Sequence, residues 1–160
     1  MYDDRQHRDL FFGPGKYLFR GTLPSSAFSK PYQGLGVTPT STDPIVATLF
    51  ACRYRMMGSA VVLLALKSEF IELLDGPNLT SFYYECAVNL ELPPDQFETR
   101  CQHSISIDDS LAILEKLGYR LPSKLPDLSA LTQALTQSPR MSADDIERYT
   151  ERCLQRARGG

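Results

Sequence analysis

The sequence lacks the features that mark several large classes of protein. None of the 160 residues is tryptophan, only two are histidine, and the longest apolar run covers residues 60–66. A transmembrane helix needs roughly 20 apolar residues, and a secretory signal needs an apolar stretch behind its charged start. We therefore expect neither a membrane partner nor a secretory signal of this kind. Export through other signals stays open.

The cysteines and histidines show no metal-ligand spacing. The four cysteines form no C-x-x-C pair and are far apart in the chain: Cys52, Cys86, Cys101 and Cys153. His7 lies in a polar terminus and His103 in a strand candidate. We expect no metal and no disulfide scaffold. The cysteines then behave as small apolar residues in a reducing, cytoplasmic compartment.

The charge balance argues against a broad phosphate-binding surface. The formal net charge is −2 and the pI is about 5.7, with acids and bases scattered along the chain. A nucleic-acid partner is therefore not expected. With 42% apolar and 22% charged residues, the composition is that of a globular protein. We expect a single domain over residues 1–160, with residues 108–160 mainly helical.

Strand and turn signals alternate at the start of the chain. Residues 16–21 are aromatic and predict a strand, and residues 34–38 lead into a second short strand. Asp43 then suits a helix N-cap, and Pro44 suits the first helical position. The sequence therefore predicts a helix that starts here and ends near Gly58.

Strands and then helices are predicted further along the chain. Strand patterns occur at residues 60–66, 81–92 and 97–107. Helices are predicted after a cap at Asp108 or Asp109, and over residues 127–137 and 142–156. This order of elements indicates an α+β domain.

Three short segments carry the residues that suggest chemistry. Arg20 and Gly21 end the aromatic strand, Ser-Thr-Asp-Pro at residues 41–44 opens the helix, and Glu85 lies in a later strand candidate. Together they resemble the arginine-serine-glutamate group of the ADP-ribosyltransferase superfamily, of the bacterial toxin or effector type. The most specific part of the match is residues 36–51.

The resemblance covers about residues 16–97 and implies both a fold and a reaction. The implied fold is an ADP-ribosyltransferase-like split β-sandwich with flanking helices and a helical C-terminal segment. The implied reaction takes NAD as its substrate, releases nicotinamide and transfers ADP-ribose to a protein acceptor, without a metal. The toxin type further implies action in a cytoplasmic compartment after delivery into another cell.

The residue types suit the roles that the resemblance assigns. Arg20 could bind an NAD phosphate through charge-assisted bonds, and Gly21 would let backbone groups approach the nicotinamide amide. Ser41 could orient a carboxylate, and Thr42 could support the turn or take that role. Glu85 could bind a ribose hydroxyl and stabilise positive charge at the anomeric carbon as nicotinamide departs.

The assignments around the glutamate have alternatives. Tyr84 could stack on nicotinamide, and Glu91 points to the same face of the predicted strand as Glu85 and could replace it. Members of the family that modify arginine often carry two acids separated by one residue, whereas Cys86 and Ala87 follow Glu85 here. The sequence therefore leaves the acceptor residue open.

Other functions also stay open. The same scaffold could transfer ADP-ribose to water, as an NAD glycohydrolase toxin, or act as an interaction module without turnover. Arg20 could instead form a strand-end ion pair, residues 41–44 could only cap a helix, and Glu85 could face solvent.

Overall fold

The structure is a computed structural model that describes residues 16–23, 38–66, 80–83, 88–92 and 103–158. The described residues combine a β-sheet with α-helices, as the predicted α+β class requires. None of the helices in these ranges is both long and apolar enough to cross a membrane.

Within the described ranges, six strands form one antiparallel sheet, which is accompanied by four α-helices. The strands are β1 Tyr17–Thr22, β2 Thr38–Ser41, β3 Val61–Leu66, β4 Thr80–Tyr83, β5 Val88–Leu92 and β6 His103–Ser106. The helices are α1 Pro44–Tyr54, α2 Ile107–Lys116, α3 Leu128–Gln137 and α4 Ala143–Arg158. The strand order is β4-β5-β2-β1-β3-β6, so the central strands are β2 and β1.

Local sequence signals locate the starts of α1 and α3. Asp43 is the N-cap of α1, Pro44 is its first residue, and the Asp43 side chain accepts a hydrogen bond from the Ile45 N–H. Asp127 caps α3 in the same way, by accepting from the Ala130 N–H. The predicted cap at Asp43 and the predicted helix over residues 127–137 are both confirmed, because a cap and the N–H that it binds lie within a few residues of each other.

The second short strand, into which residues 34–38 lead, is confirmed as β2. Two other predicted boundaries are wrong. The strand predicted over residues 81–92 is two strands, β4 and β5, which pair antiparallel with Tyr83 opposite Val88. The α2 N-cap is Ser106, not Asp108 or Asp109, because the Ser106 hydroxyl accepts from the Asp109 N–H.

The main core lies between one face of the sheet and the helices. Phe19 is fully buried there, and its ring meets the Tyr149 ring of α4 edge to face at 5.7 Å between centroids. Leu64 lies opposite Phe19 on β3 and belongs to the same cluster. Side chains alternate along a strand, so Leu18 and Leu63 lie on the other face, where they are also buried.

A chain of buried hydroxyls joins three helices within this core. The Thr48 and Ser110 oxygens are 2.8 Å apart, and the Ser110 oxygen is 2.7 Å from the Tyr149 hydroxyl. All three residues are fully buried. These bonds link α1, α2 and α4. They also satisfy the three hydroxyls, which are buried away from water and need hydrogen-bond partners within the protein.

Candidate functional site

Arg20 is buried in the middle of the sheet. It lies on β1 opposite Leu63 of β3 and is only 2% exposed. Its neighbours along the strand, Phe19 and Gly21, point toward the helices. Alternation along the strand therefore places the Arg20 side chain on the opposite face of the sheet.

Gly21 is where β1 meets the backbone of α1. A Cβ atom at this position would lie 1.9 Å from the Ala47 carbonyl oxygen and 2.5 Å from the Ala51 nitrogen. Backbone atoms of a packed helix cannot move aside as a flexible side chain can. Helix packing therefore requires glycine here, independently of the nicotinamide contact that the sequence suggested.

Ser41 ends β2, beside β1 on one side and β5 on the other. It pairs with Phe19 and with Asn89, and it is 2% exposed. Since directly opposite residues share a face, Ser41 lies on the helix side of the sheet and Arg20 on the other. The two predicted site residues are thus on adjacent strands but on opposite faces. Thr42, which follows at a bend, is half-buried.

The register identifies a second position on β2 that sequence reasoning did not single out. Phe19 lies opposite Ser41 in an antiparallel pair. Carried one residue further, the same register sets Arg20 opposite Thr40. Thr40 itself pairs with Leu90 of β5. Thr40 is therefore the position on β2 that a continuation of this pairing would set opposite Arg20.

Asp43 provides a buried carboxylate at the start of α1. Its Oδ1 accepts from the Ile45 N–H at 2.8 Å, and its Oδ2 accepts from the Met141 N–H at 3.2 Å. Burial raises the pKa of this carboxyl to about 6, although the two backbone bonds and the positive charge of Arg140 act in the opposite direction. Desolvation is the dominant effect because it penalises the charged form.

The sequence identified Asp43 as a cap, but not its contact with Met141. The two residues are 98 positions apart. No local pattern of residues indicates such a pairing. Only the packing of the chain between α3 and α4 against the start of α1 brings the two together.

The predicted glutamate and its neighbour lie outside the described residues. This applies to both Glu85 and Tyr84, which fall in the stretch 84–87 between β4 and β5. The alternative glutamate, Glu91, lies on β5, where its Cα is opposite Pro39 of β2. Strand β5, which follows residues 84–87 in the chain, therefore pairs directly with β2, the strand that carries Ser41.

A groove lies apart from the predicted site residues, between the start of β1 and α4. Its volume is about 530 Å³. It is lined by Lys16, Tyr17, Asp144, Glu147, Arg148, Thr150, Glu151 and Leu154. None of the residues predicted to bind NAD lines it, so it adds nothing to the candidate site.

The described cysteines and acids offer no metal site. Cys52 and Cys153 are free and buried, and burial raises the pKa of each thiol to about 12. Both therefore stay protonated at neutral pH and are poor ligands and nucleophiles. Among the described residues, no group of three or more His, Cys, Asp or Glu side chains could hold a metal ion.

The described part of the site thus offers three groups for chemistry. A buried guanidinium can bind an anion, a serine hydroxyl can donate or accept a hydrogen bond, and a buried carboxylate can accept from backbone donors. The Ser41 hydroxyl already accepts from the Asp43 N–H at 3.1 Å.

Comparisons with protein-family models, curated proteins and solved structures find no match to this chain.

Proposed function

We propose that this protein transfers ADP-ribose from NAD to a protein acceptor and releases nicotinamide, as a toxin or effector of the bacterial type. The support is the ordered set of Arg20, Ser41 and Glu85. The observation that carries most weight is the burial of Arg20, which is 2% exposed in a central strand. A guanidinium is costly to bury, and its planar donors suit a phosphate better than any other side chain does.

The proposed reaction breaks the bond between nicotinamide and the ribose anomeric carbon. Arg20 binds the diphosphate and holds NAD in place. Glu85 binds a ribose hydroxyl and stabilises the positive charge that develops as neutral nicotinamide leaves. The acceptor nucleophile then forms a bond to the anomeric carbon and gives up its proton. Hydrolysis follows the same course with water as the acceptor.

A split β-sandwich is part of the proposal. The described helices α1, α2 and α4 contact the sheet. Arg20 lies on the face away from α1, with buried Leu18 and Leu63 beside it. We propose that Arg20 holds the phosphates of NAD from this second face, because its guanidinium lies there.

Nicotinamide release tests the proposal most directly. Labelled NAD is given to the wild-type protein and to the Glu85→Gln variant, with a cell lysate as the source of acceptors. Release should fall by a factor of about 10² or more in the variant, since a positioned charge is lost from the transition state. Glu91→Gln is the matched control and should stay close to wild type. The reverse result would identify Glu91 as the catalytic acid.

The same assay distinguishes the other functions. Label on a lysate protein indicates transfer, whereas release without labelled protein indicates an NAD glycohydrolase. Saturable NAD binding without release would indicate an interaction module. A folded protein that neither binds nor cleaves NAD would overturn the proposal.

The two hydroxyl positions on β2 are compared in the same way. Thr40→Val and Ser41→Ala each remove one hydroxyl with little change of volume. Ser41 is the serine that the sequence resemblance identified, so Ser41→Ala should lower release more than Thr40→Val. The opposite order would identify Thr40 as the hydroxyl that serves the site and would contradict a role for Ser41.

A further inference from the structure

Ser41 and the C-terminal helices are connected through one residue. The Asp43 N–H donates to the Ser41 hydroxyl oxygen at 3.1 Å. The carboxylate of the same residue accepts from Met141, which lies between α3 and α4. Asp43 is 5% exposed, so water does not compete strongly for these bonds.

The place of Asp43 depends on packing as well as on its own helix. Its bond to the Ile45 N–H would form at the start of any helix with this cap. Its second carboxylate oxygen reaches the backbone only because the chain at Met141 packs against it. Helix α3, which precedes Met141, also contacts α1. The C-terminal segment therefore restrains the position of Asp43.

We propose that Asp43 is a positioning residue that acts through Ser41, and that the C-terminal helical segment completes the candidate site by holding Asp43. Its backbone N–H sets the orientation of the Ser41 hydroxyl, and its carboxylate makes that orientation depend on Met141. This proposal rests on the proposed function. It gives residues 108–158 a role at the site instead of a separate role in target binding.

The expected effect follows from the precision that catalysis requires. A displacement of about 1 Å at a catalytic group can cost a factor of 10² in rate. Loss of the contact with Met141 leaves the Asp43 cap in place, so a smaller displacement is expected. We expect nicotinamide release to fall about tenfold when this contact alone is lost.

The test uses Asp43→Asn and a matched control at the other Asp cap. The asparagine has the same size and keeps the oxygen that caps α1, but its amide nitrogen cannot accept from the Met141 N–H. Asp127→Asn makes the same change at α3, where the carboxylate accepts from the Ala130 N–H and contacts neither Ser41 nor Met141. Both variants should fold, because asparagine is as good an N-cap as aspartate.

A double-mutant cycle separates positioning from general loss of stability. If Asp43 acts through Ser41, then Asp43→Asn should lower release about tenfold in wild type and have little further effect in Ser41→Ala. Asp127→Asn should leave release unchanged in both backgrounds. Equal losses for Asp43→Asn in both backgrounds, or equal effects of the two Asn variants, would overturn the proposal.

Amide hydrogen exchange gives a readout that needs no activity. In Asp43→Asn, the amides of residue 43 and Met141 should both exchange faster, and neither should change in Asp127→Asn. Unchanged exchange at residue 43 would overturn the proposal even in an active enzyme. A wild-type protein that releases no nicotinamide would contradict the proposed function, and exchange alone would then decide whether the C-terminal segment holds the Ser41 end of β2.

Discussion

Two helix starts in this protein use the same cap in different surroundings. Asp43 and Asp127 each accept from a backbone N–H at 2.8 Å. Asp43 is 5% exposed and also binds the Met141 N–H, whereas Asp127 is exposed. At Asp127 this short-range motif therefore stabilises only the start of α3. At Asp43 it also joins parts of the chain that are far apart in sequence.

Two glycines show the same contrast between packed and open surroundings. A Cβ at Gly21 would overlap the backbone of α1 at 1.9 Å. A Cβ at Gly118 would meet none of the described atoms within 4 Å, and glycine is favoured there by a φ of +98°. Packing requires the first glycine and backbone conformation favours the second.

The largest expected effect is that of Gly21→Ala. The added methyl group forces β1 and α1 apart, which should cost more than about 3 kcal/mol of unfolding free energy or prevent folding. Gly118→Ala is the control and should cost about 1–2 kcal/mol through backbone strain alone. Urea unfolding measures both. Equal costs would show that the contrast between the two glycines is wrong.

The next effect is the pH dependence that Asp43 confers. Its pKa of about 6 in the folded protein lies above the ordinary 3.8. A raised pKa contributes stability that is fully present below pH 3.8 and is lost as the pH rises through 6. The free energy of unfolding of wild type, relative to Asp43→Asn, should therefore increase by on the order of 2 kcal/mol between pH 7.5 and pH 4.5.

This pH effect is measured by urea unfolding of both proteins at the two pH values. Taking the difference removes the titration of groups that the two proteins share. Asp127→Asn is the control, because its wild-type carboxyl is exposed. A difference between wild type and Asp43→Asn that stays constant with pH would contradict the burial of this carboxylate.

A smaller difference is expected when each cap is removed at neutral pH. Asp43→Ala should cost about 2 kcal/mol, because the cap is lost and the buried Met141 N–H is left without its acceptor. Relief of the buried charge offsets part of this cost. Asp127→Ala should cost about 1 kcal/mol, as an exposed cap does. Thermal unfolding of the two variants provides the comparison, and a larger cost at Asp127 would reverse it.

The smallest effect is expected at the ion pair that connects the residue after α1 to α2. Arg55 pairs with Asp108 and donates to the Ser123 carbonyl oxygen. The Asp108 side chain is 72% exposed, so water weakens the attraction. Arg55→Gln should cost about 0.5 kcal/mol, and the difference from wild type should shrink in 1 M salt. A loss of several kcal/mol would mean that this surface contact matters as much as the buried cap.

Short-range signals account for the elements that the sequence predicted well. The caps at Asp43 and Asp127 depend on residues two or three positions away, and the apolar run at residues 60–66 contains β3. Residues 81–92 were misassigned because alternation is the same in one long strand and in two paired strands. Ser106 was missed as a cap because two aspartates follow it closely and suit the same position.

The candidate site was predicted only in part for a similar reason. The sequence singled out Arg20 and Ser41, and the structure places them on adjacent strands. Their separation onto opposite faces depends on the register between β1 and β2. A shift of one residue would reverse it, and no local pattern specifies that register.

By itself, the sequence determined the α+β class, the caps of α1 and α3 and the residues that suggest NAD chemistry. Only the tertiary structure decided that Gly21 lies against α1, that Ser41 lies opposite Phe19 and that Asp43 reaches Met141. Caps and turns depend on contacts between near neighbours in the chain. Register, burial and a raised pKa depend on residues that come together only when the chain packs.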